Sequence, residues 1–281
     1  SIAVIMNLSP NHLDRYPGFE AYAEAKMRIL NNMNELDLLI YNADDPLLCQ
    51  RIEEVKPQKI PFSIQQTNFE TGAYWKDNNI YIHWKNMDSC IPMPHPHLRG
   101  PHNRYNMLVA ALIAAIWNIP IKTIRETIEN FPGIEHRLEN SGIIDGVKYV
   151  NDSKATSVDS LRWALQSFDE KIVLIAGGKD KGGEYSEVDK LLKEKVRAVM
   201  VIGQAALRMK EAWSGVVPVY SANDLDEAVK KSSALAQADD VVLLSPACSS
   251  FDMFRDYEQR GNRFKEIVRQ ISVTQDTHLV E

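Results

Sequence analysis

Along the first half of the chain, short apolar runs alternate with segments in which apolar residues recur at the spacing of an α-helix. Residues 1–8 and 36–41 are apolar runs of the length typical of buried parallel strands, and apolar residues between them recur at near-helical spacing. This alternation predicts a β-α-β repeat. The same reasoning predicts helices at 18–32, 45–55, 106–117 and 121–130, a strand at 59–63 and a hairpin over 72–84.

The segment FPGIEHR, with Pro132 and Gly133, breaks the pattern and is the best candidate for a domain linker. The predicted domains are residues 1–133 and residues 134–281. Beyond the linker the alternation restarts and predicts a doubly wound α/β domain. Its strands are expected at 147–150, 172–176, 198–202, 217–220 and 241–244, and its helices at 158–167, 187–195, 205–213, 225–236 and 257–271, with a frayed tail over 274–281.

Composition and charge narrow the class of function. The formal net charge is -6, whereas a surface that binds nucleic acid needs a basic face. No apolar run reaches the about 18 residues that a membrane span requires. Three cysteines without metal-ligand spacing are typical of reduced thiols in the cytosol. We therefore expect a cytoplasmic protein without nucleic-acid or membrane partners.

Polar segments follow several of the predicted strands. In doubly wound sheets, ligands bind beyond the carboxyl ends of the strands, so these segments are candidates for a site. They are NLSPNHLDRY, NDSKATSVDS, AGGKDKGG and SPACSSFDMFRDYEQRG.

These segments closely resemble the Mur ligase family. NHLDRY, EAKMRI, HNRYN, GIEHRLE, NDSKAT and LLSPACSSFDMFRDYEQRG occur in the family's order over the whole chain, and NDSKAT with SPACSSFD indicates the D-glutamate-adding branch. The resemblance implies a truncated central parallel-sheet ATPase domain followed by a Rossmann-like doubly wound C-terminal domain. It also implies peptidoglycan biosynthesis: ATP phosphorylates UDP-N-acetylmuramoyl-L-alanine, and D-glutamate then attacks the acyl phosphate.

The resemblance assigns the metal site to His12 and Lys26. His12 matches a histidine ligand of Mg²⁺, although a lone loop histidine is more often structural or solvated. Lys26 matches a lysine that the family carries as a carbamate, and a carbamate offers the oxygen atoms that Mg²⁺ prefers. Without the motif, Lys26 would be interpreted as a solvated lysine on a surface helix.

Five further residues match positions that contact ATP in the family. Asn103 could instead be a helix cap, and Arg137 could form an interdomain salt bridge with Asp152. The predicted nucleotide contacts are Asn103, Asn106, His136, Arg137 and Asp152.

The resemblance places the D-glutamate pocket on the second domain. Lysines facing the two carboxylates of the substrate make chemical sense, but GGKDKGG could also be a flexible turn, with Lys179 in the role given to Lys181. Cys248 has no recognisable catalytic partner and is interpreted as packing. The predicted pocket residues are Lys154, Thr156, Lys181, Ser250 and Tyr257, the last of which replaces a phenylalanine common in the family.

The sequence contains no GxxxxGK[ST] phosphate loop. We therefore expect the chain to be an N-terminally truncated fragment that is inactive alone. Because the chain begins one residue before a predicted core strand, Ser1 is not expected to be a native start. The protein is expected to be a monomer. Two rival interpretations stay open. One is a ligase adding another amino acid, or a folylpolyglutamate-synthase-like enzyme; the other is a nucleotide-free binding module.

Overall fold

The computed structural model describes residues 1–9, 16–93 and 98–278, with side chains up to residue 273. The chain separates into two compact units, Ser1–Pro132 and Gly133–Glu281. In the described ranges, no helix is both long and apolar enough to cross a lipid bilayer.

The first unit contains a mixed six-stranded sheet within its described residues, in the order β1-β2-β3-β4-β5-β6. Strands β1 to β4 pair in parallel, and β4, β5 and β6 pair antiparallel. The predicted β-α-β repeat and hairpin are confirmed, whereas β6 was not predicted. The elements are β1 Ile2–Ile5, α1 Phe19–Met27, β2 Leu38–Asn42, α2 Pro46–Arg51, β3 Gln58–Ser63, β4 Gly72–Lys76, β5 Asn79–Trp84, β6 Met87–Pro92, α3 Pro101–Ile116 and α4 Ile121–Asn130.

Helix α3 is the Ala-rich helix expected from the sequence, and it packs on β3, β4 and β5. It begins at Pro101, five residues earlier than predicted, because Gly100 at φ 89° turns the chain and proline suits the first helical turn. Asn103 therefore lies in the first turn of the helix. The alternative assignment of Asn103 as the helix cap is wrong.

The second unit is built on another six-stranded sheet, in the order β11-β10-β9-β12-β8-β7. Strands β8 to β12 are all parallel, and the edge strand β7, which was not predicted, pairs antiparallel with β8. The elements are β7 Glu139–Ile144, β8 Val147–Asn151, α5 Val158–Leu165, β9 Ile172–Gly177, α6 Asp189–Lys195, β10 Val196–Ile202, α7 Ala206–Trp213, β11 Val219–Ser221, α8 Leu225–Leu235, β12 Val241–Leu244 and α9 Tyr257–His278.

Helices cover both faces of this sheet, as a doubly wound domain requires. Leu174 of β9 belongs to the core on the side of α5, α6 and α7, whereas its neighbour Ile175 packs with α8 and α9. Successive residues of a strand point to opposite faces, so a strand covered on both sides is apolar throughout. Helix α9 continues to His278, so the expected tail over 274–281 is wrong as far as residue 278.

Candidate functional site

The loops that follow β8, β9, β10 and β12 meet at one edge of the second unit's sheet, because these strands are parallel. Their backbones approach closely. Gly178 donates its N–H to the Ile202 carbonyl at 3.1 Å, and Lys179 donates to the Ser249 carbonyl at 2.9 Å. A Cβ atom on Gly178 would lie 2.3 Å from the Ser249 oxygen, so only glycine fits between these loops.

Asp152 lies directly beyond β8 and is only 5% exposed. Its carboxylate accepts hydrogen bonds from the Ser245 hydroxyl at 2.9 Å and from the Leu138 amide at 3.2 Å. Burial raises the pKa of Asp152 to about 7, although these two bonds and the charge of Arg137 act in the opposite direction. Arg137 is exposed and forms no ion pair with Asp152 in the described structure, so the salt bridge considered from the sequence is not present.

Arg260, on α9, is fully buried beneath these loops. Its guanidinium donates to the Ser153 carbonyl at 2.9 Å, the Cys248 carbonyl at 3.1 Å and the Gly177 carbonyl at 3.5 Å, and also to the Ser153 hydroxyl at 2.9 Å. Burial lowers the pKa of Arg260 to about 10, while the charges of Cys248 and Asp252 oppose that effect. One cation thus joins the loops after β8, β9 and β12.

His136 is also buried, with its backbone at φ 63°. Its ring Nδ1 lies 2.9 Å from the side-chain amide of Asn151, and because that amide donates, Nδ1 accepts. The ring meets Tyr257 edge-on at 6.0 Å between centroids. Gly261 makes room for it, since a Cβ there would lie 2.2 Å from Nδ1. The structure therefore gives His136 an interior contact, and its phosphate contact stays a prediction.

Lys154 and Tyr257, two predicted pocket residues, contact each other. The Lys154 ammonium donates to the Tyr257 hydroxyl at 3.3 Å and lies 5.1 Å from the centroid of the ring. The hydroxyl that distinguishes Tyr257 from phenylalanine therefore positions a lysine. Thr156 is half-buried just before Ser157, the N-cap of α5.

The remaining pocket residues lie on the loops after β9 and β12. Ser250 is 2% exposed, whereas Lys179 and Lys181 are both exposed. Lys179 is the lysine whose backbone pairs with Ser249. Cys248 is buried, 3.3 Å from the Tyr185 hydroxyl, and burial raises the pKa of its thiol to about 11, which supports its interpretation as packing.

In the first unit, Asn103 and Asn106 contact each other at the start of α3. The side-chain amide of Asn106 donates to Asn103 at 3.3 Å, and Asn103 donates to the Arg99 carbonyl at 2.8 Å. Tyr105 of the same helix donates to Asp44, which follows β2, at 2.9 Å. Burial, followed by the bond to Asp44, raises the pKa of the Tyr105 hydroxyl.

The predicted metal ligands are only partly described. His12 lies outside the described residues. The Lys26 ammonium donates to the Asn7 carbonyl at 3.3 Å, beyond the end of β1, and an ammonium offers no lone pair to a metal. Within the described ranges, no group of three or more His, Cys, Asp or Glu residues could hold a metal ion. These residues alone do not form a Mg²⁺ site.

Two family models match the chain, and together they cover both units. The Mur ligase middle domain matches residues 1–114, and the Mur ligase glutamate ligase domain matches residues 136–248. The chain belongs to the Mur ligase family. Its fold and the order of its domains are those that the sequence motifs implied.

Relatives of this Mur ligase include proteins named UDP-N-acetylmuramoylalanine–D-glutamate ligase. The one from Salinibacter ruber is 42% identical over 95% of this chain and 59% of its own length. The one from Christiangramia forsetii is 40% identical over 96% of this chain and 61% of its own length. The chain thus spans about three fifths of these relatives.

Solved structures share the Mur ligase fold at low sequence identity. A pseudomurein peptide ligase type C from Methanothermus fervidus is 17% identical, with a TM-score of 0.72 over 96% of this chain and 63% of its own. MurF ligase from Thermotoga maritima, solved in complex with ADP, is 15% identical, with a TM-score of 0.67 over 96% of this chain and 62% of its own. At these identities the similarity shows the fold.

Two residues of this Mur ligase were not predicted from the sequence to belong to the site. Arg260 belongs to the quoted SPACSSFDMFRDYEQRG motif, but a single arginine on a helix is normally interpreted as solvated. Asp180 lies between Lys179 and Lys181, where it could be taken for another surface charge. The motif itself was the available signal for Arg260, and the AGGKDKGG segment was the available signal for Asp180.

Proposed function

We propose that this chain is part of an ATP-dependent ligase that forms the amide bond between UDP-N-acetylmuramoyl-L-alanine and D-glutamate through an acyl phosphate, in peptidoglycan biosynthesis. The observation that carries the proposal is the 40–42% identity, over almost the whole chain, to relatives that bear this name. Because the chain spans about three fifths of those relatives, the complete activity is proposed for the full-length protein.

Residues 1–133 are assigned to ATP binding and residues 134–281 to amino-acid binding. The descriptions of the two family models support this division, and ADP in the related MurF structure supports a nucleotide substrate. The nucleotide contacts proposed are Asn103, Asn106, His136, Arg137 and Asp152. The paired amides of Asn103 and Asn106 can both donate to and accept from a base edge.

The D-glutamate site is proposed at the carboxyl edge of the second unit's sheet. Cationic and hydroxyl side chains gather there, which suits a dicarboxylate because charge-assisted hydrogen bonds to carboxylates are strong. The residues proposed are Lys154, Thr156, Lys181, Ser250 and Tyr257. Mg²⁺ with His12 and a carbamylated Lys26 stays a prediction, as do the monomeric state and the cytoplasmic location.

The site can be tested by NMR titration of the isotope-labelled chain with D-glutamate, L-glutamate, L-alanine and L-lysine. D-glutamate is expected to shift amide resonances of 153–156, 179–183 and 249–250 more than the other amino acids do. Tighter binding of another amino acid would favour a sister ligase and reject the proposed substrate.

Two further measurements address the remaining alternatives. A nucleotide-free binding module predicts no ATP binding even in the full-length protein, whereas the ligase predicts ATP binding. Phosphate release that depends on ATP and D-glutamate is not expected from these 281 residues alone. Its detection would contradict the expectation that the chain is inactive by itself.

A further inference from the structure

The loop that carries Lys181 joins β9 to the short 3-10 helix Tyr185–Val188. It contains Gly182 and Gly183 in succession, and a Cβ atom on Gly182 would meet nothing within 4 Å. Such a segment loses much conformational entropy when it is ordered. A lysine on a freely moving loop would be a poor partner for a small anion, so something must hold this loop in place.

Asp180 supplies that restraint from inside the loop. One carboxylate oxygen accepts from the Gly182 amide at 2.8 Å and from the Tyr185 hydroxyl at 3.0 Å. The other accepts from the Arg208 guanidinium at 2.7 Å, and Arg208 also donates to the Gly183 carbonyl at 2.8 Å. Asp180, together with its partner Arg208, thus fixes the turn at Gly182 and Gly183, directly after Lys181.

The partners of Asp180 are themselves fixed. Tyr185 is 2% exposed, its carbonyl accepts from the buried Trp213 indole at 3.0 Å, and its hydroxyl lies 3.3 Å from the Cys248 sulfur. Arg208 lies over the Tyr185 ring, 5.0 Å from its centroid. The restraint therefore continues to the segment after β12, which includes Ser250.

Asp180 lies between two exposed lysines in the sequence, yet within the described residues its carboxylate pairs with Arg208 and with neither lysine. Burial alone would raise the pKa of Asp180, but hydrogen bonds from Arg208, Gly182 and Tyr185 outweigh it and lower that pKa, so the group stays anionic. Arg208 balances this charge. In the described structure neither Lys179 nor Lys181 forms an ion pair, which leaves both charges available to an incoming anion.

We infer that Asp180 is a positioning residue that holds the 178–184 loop in one conformation, so that Lys181 is presented to a carboxylate of the amino-acid substrate. This inference rests on the proposed function for the identity of the substrate. Its physical basis is preorganisation: order that is built into the free protein does not have to be created on binding.

A double-mutant cycle tests the inference through D-glutamate affinity, measured by NMR titration of the chain. We expect Lys181→Met to weaken binding about tenfold and Asp180→Asn to weaken it by a similar factor. Because Asp180 acts through Lys181, the double variant should bind about as weakly as Lys181→Met alone. If each substitution instead weakened binding through an independent structural defect, the loss of affinity in the double variant would be the product of the two single losses.

The matched control is Asp226→Asn. Asp226 is likewise paired with an arginine in the same unit, accepting from the Arg263 Nε at 3.0 Å, but this pair joins α8 to α9 and does not involve the 178–184 loop. It should leave D-glutamate affinity unchanged. Hydrogen exchange of the 179–184 amides gives a readout without ligand, and it should rise in Asp180→Asn but not in the control.

The possible results distinguish a failure of the positioning role of Asp180 from a failure of the proposed function. If the wild-type chain binds D-glutamate but the two substitutions act independently, or loop exchange stays unchanged, the positioning role of Asp180 is overturned while the proposed function stands. If hydrogen exchange of the loop rises in Asp180→Asn but the wild-type chain binds no D-glutamate, the proposed function is rejected, and D-glutamate is rejected as the substrate. Should Asp180→Asn not fold, Arg208→Met replaces it in the same cycle with the same expectation.

Discussion

The buried carboxyl of Asp152 makes the stability of the second unit depend on pH. Its pKa is raised from 3.8 to about 7, so the folded state binds the proton more tightly than the unfolded state. The contribution of Asp152 to stability therefore falls as pH rises from about 4 to about 7 and is constant above that range. Since a tenfold change in proton affinity is about 1.4 kcal/mol, ionised Asp152 costs about 4 kcal/mol at pH 8.

Asp152→Asn removes this cost while keeping the local geometry. The side-chain oxygen can still accept from the Leu138 amide, and the new amide can donate to the Ser245 hydroxyl, which rotates to accept. We expect the variant to be more stable than the wild type by about 4 kcal/mol at pH 8 and by about 2 kcal/mol at pH 5. The same substitution removes the proposed nucleotide contact, so stability is gained at the expense of function.

The measurement is urea-induced unfolding at both pH values, with hydrogen exchange of peptides from β8 and β12 reporting on the unit that contains Asp152. The control, Asp169→Asn, removes an exposed carboxylate from the same unit and should change the free energy of unfolding by less than about 0.5 kcal/mol at either pH. An equal effect of Asp152→Asn at pH 5 and pH 8, or a loss of stability at pH 8, would refute the reasoning.

Two further predictions concern packing and thiol reactivity. Gly261→Ala should destabilise the second unit by about 1–3 kcal/mol, because its methyl group would overlap the buried His136 ring; Gly215→Ala, which meets nothing within 4 Å, is the control in thermal unfolding. Iodoacetamide at pH 8 should modify exposed Cys90 before buried Cys248, as peptide mass spectrometry can determine. Similar effects of the two glycine substitutions, or earlier modification of Cys248, would contradict these expectations.

The parallel strands of the second unit were predictable because their burial on both faces produces a local sequence pattern. β9 is covered by helices on both faces, so all six of its residues, IVLIAG, are buried and form a continuous apolar run. The two strands that sequence reasoning missed, β6 (MDSCIP) and β7 (ENSGII), lie at sheet edges and carry polar residues. Their structure comes from pairing with one neighbour, which a local pattern does not reveal.

The residues of the candidate site likewise divide into those that the local sequence predicted and those that it did not. The rule that ligands bind at the carboxyl ends of parallel strands identified the loops of Asp152, Lys154 and Ser250 before any coordinates. Arg260 was missed because its partners are distant in sequence, and Asp180 was missed because Arg208, the arginine that pairs with it, lies 28 residues further along the chain. Arg260, for example, binds a carbonyl that lies 107 residues away along the chain.

The burial of Arg260 has a consequence for how this protein can change during evolution. Its guanidinium is shared by backbone carbonyls of three separate segments, so a shift in any one of them disturbs the hydrogen bonds of the other two. Substitutions in different segments should therefore show epistasis even where their side chains never touch. Selection for a new substrate would have to alter these segments together, or leave their backbones in place and exchange only the side chains that project from them.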